Sequence, residues 1–351
     1  ADSALVFGIQ GYDKRSVSEP SGEDNVMGAK DGFIEVVRVN MSLLRRRMKT
    51  PQLKLELFVK GSKSQTDLCL CYMADRVPQS LIAQIKARLD EMELESILSS
   101  GYLQPFLENR RGCLFDTVGT TQRPDVLCAK LLEGRVGLLI DGTPFALVIP
   151  KLFCESFQTM DDYCYRPAYA TLVRWIKYAA FLVAVLLPAL YVAIALHHPE
   201  LLNRTLLLIL ADAEENAPIS LTAEAIGVLL VYEIIREAGL RLPKAVGGAV
   251  SIVAGLIIGD AAVASGLIST PMLTVTAIAV IAGFVVPDLA QSITLLRLAF
   301  LLIAGFWGLF GISLLGAAVL FNLCAGESFG FPITAPIAPL YKKGFRDTLT
   351  R

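Results

Sequence analysis

The chain has 351 residues, 54% of them hydrophobic, with a formal net charge of −1 and a mean hydropathy of +0.55. That balance is too apolar for an ordinary soluble protein, and a near-zero net charge leaves no bulk field to recruit nucleic acid. The two histidines, the absence of any CxxC spacing and the lack of a phosphate loop or dinucleotide fingerprint argue against metal, redox and nucleotide chemistry.

Charged residues concentrate in residues 1–170, which read as a soluble α/β domain with a candidate division into two lobes near residues 100–125. The stretch "DGFIEVVRVNMSLLRRRMK" (31–49) spaces Phe33, Val37, Met41, Leu44 and Met48 as one helical face, with Asp31 as a candidate cap. Its basic end, Arg45 to Arg47 with Lys49, reads as a solvated helix terminus. "LKLELFVKGSKSQTDLCLCYM" alternates on either side of Gly61-Ser62-Lys63-Ser64, the pattern of a β-hairpin. "PQSLIAQIKARLDEM" returns to helical spacing, and "RVGLLIDGTPFALVIP" places strands around an Asp141-Gly142 turn. The seven cysteines, an odd number, read as reduced core thiols. Asp161-Asp162 reads as a solvated loop, since adjacent residues share no face. No catalytic set and no metal site is expected.

Residues 171–340 read as a helical transmembrane domain, followed by a short basic tail at 341–351. "WIKYAAFLVAVLLPALYVAIAL" (175–196) is long enough to cross a bilayer, which takes roughly 20 apolar residues. Arg174 and Lys177 at its start place the soluble domain in the cytoplasm, and Pro188 inside it predicts a kink for neighbouring helices to accommodate. The stretch 221–244 is apolar for two turns and then carries Glu233, Arg236, Glu237 and Arg241, spaced as two ion pairs. In "VSIVAGLIIGDAAVASGLISTP" (250–271) and just before it, Gly247, Ser251, Gly255 and Gly259 form a small-residue stripe suited to close helix packing. Asp260 follows directly. A charge at mid-membrane costs roughly 2.5–3.5 kcal/mol on insertion scales, so Asp260 is expected to be shielded by protein or water, and to be functional or to cap a broken helix. Thr274 and Thr276, in the next span, either bond to backbone or line a pore. Residues 297–326 read as the longest span, with Arg297 at its mouth. Counting charges leaves the topology open, because Arg236, Arg241 and Lys244 fall outside if four segments cross.

Taken in order, "RSVSEP" (15–20), "GAKDGFIEVVRVNMSLLRRR" (28–47), "RPD" (123–125), "EGRVGLLIDGTPF" (133–145), "DDY" (161–163), "EIIREAGLRLP" (233–243), "SIVAGLIIGDAAV" (251–263) and "SFGFP" (328–332) resemble the A subunits of bacterial spore germinant receptors. The resemblance runs from about residue 12 to residue 340. It implies a cytosolic α/β domain followed by a polytopic membrane domain in the spore inner membrane. It implies partners too: a B subunit of amino-acid-transporter fold, a lipoprotein C subunit, further copies in a ring, and membrane lipid. The implied function is a nutrient-gated cation pathway with no cofactor. It also implies that residues ahead of this chain complete the first soluble lobe. A sporulation-expressed accessory channel paralogue is the second expectation and a secondary transporter the third, the latter without the paired broken helices that fold shows. An intramembrane aspartyl protease is disfavoured, because Ile257 stands where the first glycine of its Gly-x-Gly-Asp motif belongs.

Overall fold

The computed structural model describes residues 15–20, 22–23, 25–108, 113–215, 219–242, 255, 257–341, 344 and 348. The chain divides into two compact units. The first holds residues 1–153, 163–165 and 326–340; the second holds 154–162, 166–325 and 341–351.

The first unit is built on a sheet whose described strands are β1 (Leu53–Lys60), β2 (Thr66–Met73), β3 (Gly119–Thr121), β4 (Val136–Ile140) and β5 (Ala146–Ile149). Their order is β1-β2-β4-β5-β3, and every pairing is antiparallel. The architecture is therefore α+β, as expected of strands joined by short turns. Gly61 (φ +89°) and Gly142 (φ +86°) occupy the two hairpin turns, where a left-handed backbone favours glycine. β2 is buried on both faces: Leu68, Leu70 and Tyr72 join helix α2 (Gln79–Asp90), while Cys69, Cys71 and Met73 join helices α1 (Val37–Arg47) and α3 (Pro124–Leu132). A strand covered on both sides reads as a continuous apolar run.

Three expectations change. β3 joins the same sheet as β1 and β2, so the sheet crosses the expected lobe boundary near 100–125. Asp31 does not cap α1: the helix begins at Val37, whose N–H donates to Asp141 Oδ1 (2.9 Å), and Asp31 instead pairs with Arg46 (2.6 Å) and Arg47. The cap comes from a turn 104 residues away, which local spacing cannot reveal. Cys164 and Cys324 are exposed, unlike the core thiols Cys69, Cys71, Cys128 and Cys154.

Residues 326–340, expected within the membrane domain, belong to the first unit. Phe329, between the short strands β6 (Glu327–Ser328) and β7 (Phe331–Pro332), enters the sheet's core with the Arg88 guanidinium 4.1 Å above its ring. The Phe153 N–H donates to Ile333 O (2.8 Å), so the chain leaves this unit and rejoins it at one place.

The second unit is a helical bundle: α4 (Pro167–His197), α5 (Arg204–Glu215), α6 (Leu221–Arg241), α7 (Thr270–Phe284) and α8 (Ala290–Ala325). Contacts set the directions. On α4, Ala184 meets Arg297 and Gly283, Val192 meets Met272 and Leu301, and His197 meets Gly308. The first half of α8 thus runs parallel to α4, and α7 antiparallel to it. α6 runs antiparallel to α8, since Glu233 meets Thr294 while Leu229 packs with Leu301. The expected single long span at 297–326 is interrupted: Gly308 has φ +57°, ψ −143°, and a Cβ at Gly311 would lie 2.6 Å from Ile303 Cγ2. Two residues eight apart are far separated in a straight helix, so the chain turns sharply there. A side chain at Gly308 would meet His197 at 2.9 Å, so only glycine fits both the backbone and the close approach.

Candidate functional site in the helical bundle

The bundle exposes large apolar side chains and buries several charged ones beside its apolar core. Phe306, Phe310 and Phe321 are more than 70% exposed, whereas Arg174 (0%), Asp162 (1%), Glu224 (3%) and Arg297 (4%) are buried. Among the described residues, Pro167–His197 and Pro287–Ala325 are long and apolar enough to cross a membrane, and Thr270–Phe284 is a shorter apolar helix.

Asp162, expected in a solvated loop, is held beside the first turns of α4. It accepts from Lys177 Nζ (3.1 Å) and Arg174 Nε (3.4 Å), and Thr159 donates from its N–H and its hydroxyl. A carboxylate so enclosed is stable because cations and donors compensate the lost water. Sequence spacing missed it, because its partners lie 12 and 15 residues ahead.

Further along the bundle, Pro188 deprives the Ala184 carbonyl of its helical donor. Arg297 supplies one: its Nε–H donates to Ala184 O (2.8 Å), and Nη2 reaches Ala279 O of α7 at 3.5 Å. The residue expected at a span's mouth is thus inside the bundle and touches three helices. Glu224, in the first turn of α6, accepts from the Ser269 N–H (2.6 Å) and hydroxyl (2.8 Å) through Oε1. It ties α6 to the start of α7; a lone acid in the apolar run "LTAEAIGVLLV" was the available signal for it.

The residues 233–241 divide into two pairs. Glu233 pairs with Arg236 (2.6 Å) and accepts from Thr294 Oγ1 (3.0 Å), and both side chains are largely covered. Glu237 and Arg241 also pair (2.6 Å), but their side chains are 54% and 79% exposed. The expected buried network is therefore confined, in this chain, to the first pair. Of the threonines, Thr274 donates to Thr270 O (2.9 Å), while Thr276 is 2% exposed and its hydroxyl has no described partner.

Asp260 lies in a turn of π-helix at Ile257–Ala262, a feature frequent at functional sites. Its side chain lies outside the described residues, as do Gly247, Ser251 and Lys244. At Gly255 and Gly259 a Cβ would meet nothing within 4 Å. Among the described residues, the close packing expected of the stripe is not made there. Both glycines instead border a cavity of about 640 Å³ whose other walls include Tyr232, Arg236, Thr276 and Phe284.

Among the described residues no cluster of metal-ligating side chains occurs. The arrangement defines a class: an α+β unit and, in the same chain, a helical bundle that buries several charges and exposes apolar surface. Comparison with known proteins then identifies it. The model of the Bacillus/Clostridium GerA spore germination protein family matches residues 1–351, and the chain belongs to that family, the germinant receptor A subunits. It is 38% identical over 353 residues to spore germination protein KA of Bacillus subtilis (strain 168), covering all of this chain and 65% of that protein. It is also 38% identical to the B. subtilis membrane protein YfkQ, over 99% of this chain and 68% of the other. With spore germination protein GerLA of Bacillus cereus the identity is 33%, over 99% and 71%. Among solved structures, the N-terminal domain of the A subunit of the Bacillus megaterium spore germinant receptor GerK3 matches 35% of this chain and 97% of that domain, at 38% identity and a TM-score of 0.29. The chain spans about two thirds of the length of these full-length relatives, 65% for the first of them.

Proposed function

We propose that this chain is the A subunit of a nutrient receptor in the spore inner membrane. In this reading several copies, with a B subunit of amino-acid-transporter fold and a lipoprotein C subunit, enclose a gated pathway that releases cations. The observation that supports it is buried charge beside exposed apolar surface in the bundle: Arg297 and Glu224 are buried and the Glu233–Arg236 pair largely covered, while Phe306, Phe310 and Phe321 are exposed. Ionisable groups inside a membrane-spanning bundle are costly and are retained where they serve ion movement or the element that controls it.

Two further features support a multi-pass domain that begins and ends in the cytoplasm. The hydrogen bond from Phe153 to Ile333 lies inside the soluble unit, so the bundle departs from and returns to one side, which favours an even number of crossings. The antiparallel run of α6 puts Arg236 and Arg241 at the end of the bundle where α4 begins with Arg174 and Lys177. The basic residues that charge counting put outside then fall on the cytoplasmic side, in keeping with the positive-inside rule.

The test is reconstitution of the complex in liposomes loaded with potassium. Addition of nutrient is expected to release potassium. Nutrient binding without release overturns the channel reading, and a single A copy per imaged complex overturns the ring.

A further inference from the structure

Pro188 and Arg297 lie 109 positions apart yet complete one hydrogen bond. α4 continues through Pro188, and the Ala184 carbonyl receives the Arg297 Nε–H in place of the missing amide. A neutral donor such as serine would satisfy that carbonyl without carrying charge into the bundle. Arg297 is 4% exposed, makes no ion pair among the described residues, and has no partner for Nη1. Glu233 and Arg236 act on it electrostatically. Gly283 leaves the room it occupies: a Cβ there would lie 3.2 Å from Nη2. The guanidinium is therefore held by backbone dipoles and lies within the field of a carboxylate that competes for it.

Resting on the membrane reading above, we propose that Pro188 and Arg297 form a latched hinge in α4. Closed, Arg297 bridges α4, α7 and α8 through Ala184 O and Ala279 O. Open, the guanidinium moves to Glu233, Ala184 O is released, and α4 bends at the proline. Arg297 acts through the helix it holds and is a positioning residue. Such a hinge lets a small displacement of α4 switch between discrete packings.

The test is a double-mutant cycle on the full chain. Pro188→Ala restores an amide for Ala184 O and makes the arginine's donation redundant. Arg297→Gln is expected to lower the thermal midpoint of the detergent-purified protein, and Pro188→Ala/Arg297→Gln to recover most of that loss. Additive effects of the two substitutions, or a double variant no better than Arg297→Gln, overturn the latch. In the liposome assay Pro188→Ala, with Arg297 intact, is expected to slow nutrient-triggered potassium release roughly tenfold, which corresponds to about 1.4 kcal/mol added to the closed state. Unchanged release overturns the gating half. If the wild-type complex releases nothing, the conduction reading fails, and the cycle of thermal midpoints still decides the latch.

Discussion

The two units solve burial in opposite ways. In the soluble unit the sheet is sealed by Leu, Ile and Val on both faces, and ion pairs such as Lys63–Glu95 stand in solvent with side chains 73% and 71% exposed. In the helical unit several charged groups, Arg174, Asp162, Glu224 and Arg297, are buried, while large apolar side chains such as Phe306 (77%) are exposed. A soluble protein keeps charge in water because desolvating it is expensive. In the membrane reading proposed above, no water lies outside the bundle, so a charge is cheapest where protein groups receive it. The same residue type thus has different weight in each half, and substitutions test that contrast.

The largest effect is expected at Asp162. Asp162→Ala leaves Lys177 and Arg174 without their shared carboxylate in a closed site. It should cost about 3–5 kcal/mol, seen as a lowered unfolding midpoint in detergent. A loss below about 1 kcal/mol, the range of a surface pair, would erase the contrast between the units. Leu70→Ala, in the centre of β2 and fully buried, should cost about 2–5 kcal/mol by denaturant unfolding, through lost burial and a cavity. Glu224→Ala removes the acceptor of two Ser269 bonds and should cost about 1–3 kcal/mol, while Glu224→Gln, which keeps one oxygen, should stay near wild type; equal losses would show that charge, not acceptance, matters.

Smaller effects sharpen the picture of the soluble unit. A thiol reagent applied to native protein should modify Cys164 and Cys324 first and leave Cys71 and Cys128 unreacted. Burial pushes the Cys71 thiol well up and the Cys128 thiol to about 11, so little thiolate is available at either. Early labelling of Cys128 would show that the α1–α3 face of the sheet opens. The smallest effect concerns Glu56, on an exposed part of the sheet. Its hydrogen bonds from Lys86 and then Tyr72 hold its carboxyl below the usual 4.5. The stabilisation is present above that value and is lost as pH falls through the folded-state value. Glu56→Gln should therefore flatten the acid side of the stability profile slightly. Its partner Tyr72 is pushed up to about 12, first by burial and then by Glu56. Folding favours the protonated phenol, so Tyr72's contribution is intact below about 10 and fades as pH rises towards 12.

Much of this molecule is local information. The alternating runs around Gly61 and Asp141-Gly142, the apolar face of α2 and the long greasy stretch of α4 carry their own period and turn chemistry, and family membership follows from motifs in order along the chain. Asp162, Arg297 and Glu224 were not legible in that way. Their roles depend on partners 12 to 113 positions distant, brought within 3.5 Å by helix packing. Nor could hydropathy find the turn at Gly308, since both halves of α8 are equally apolar and only the approach of His197 and the positive φ mark the reversal. Sequence by itself determined which segments are apolar and which are charged, because that depends on composition and period. Tertiary structure alone decided which buried charge meets which carbonyl or carboxylate, because compensation of a desolvated group is a matter of ångströms and not of order along the chain.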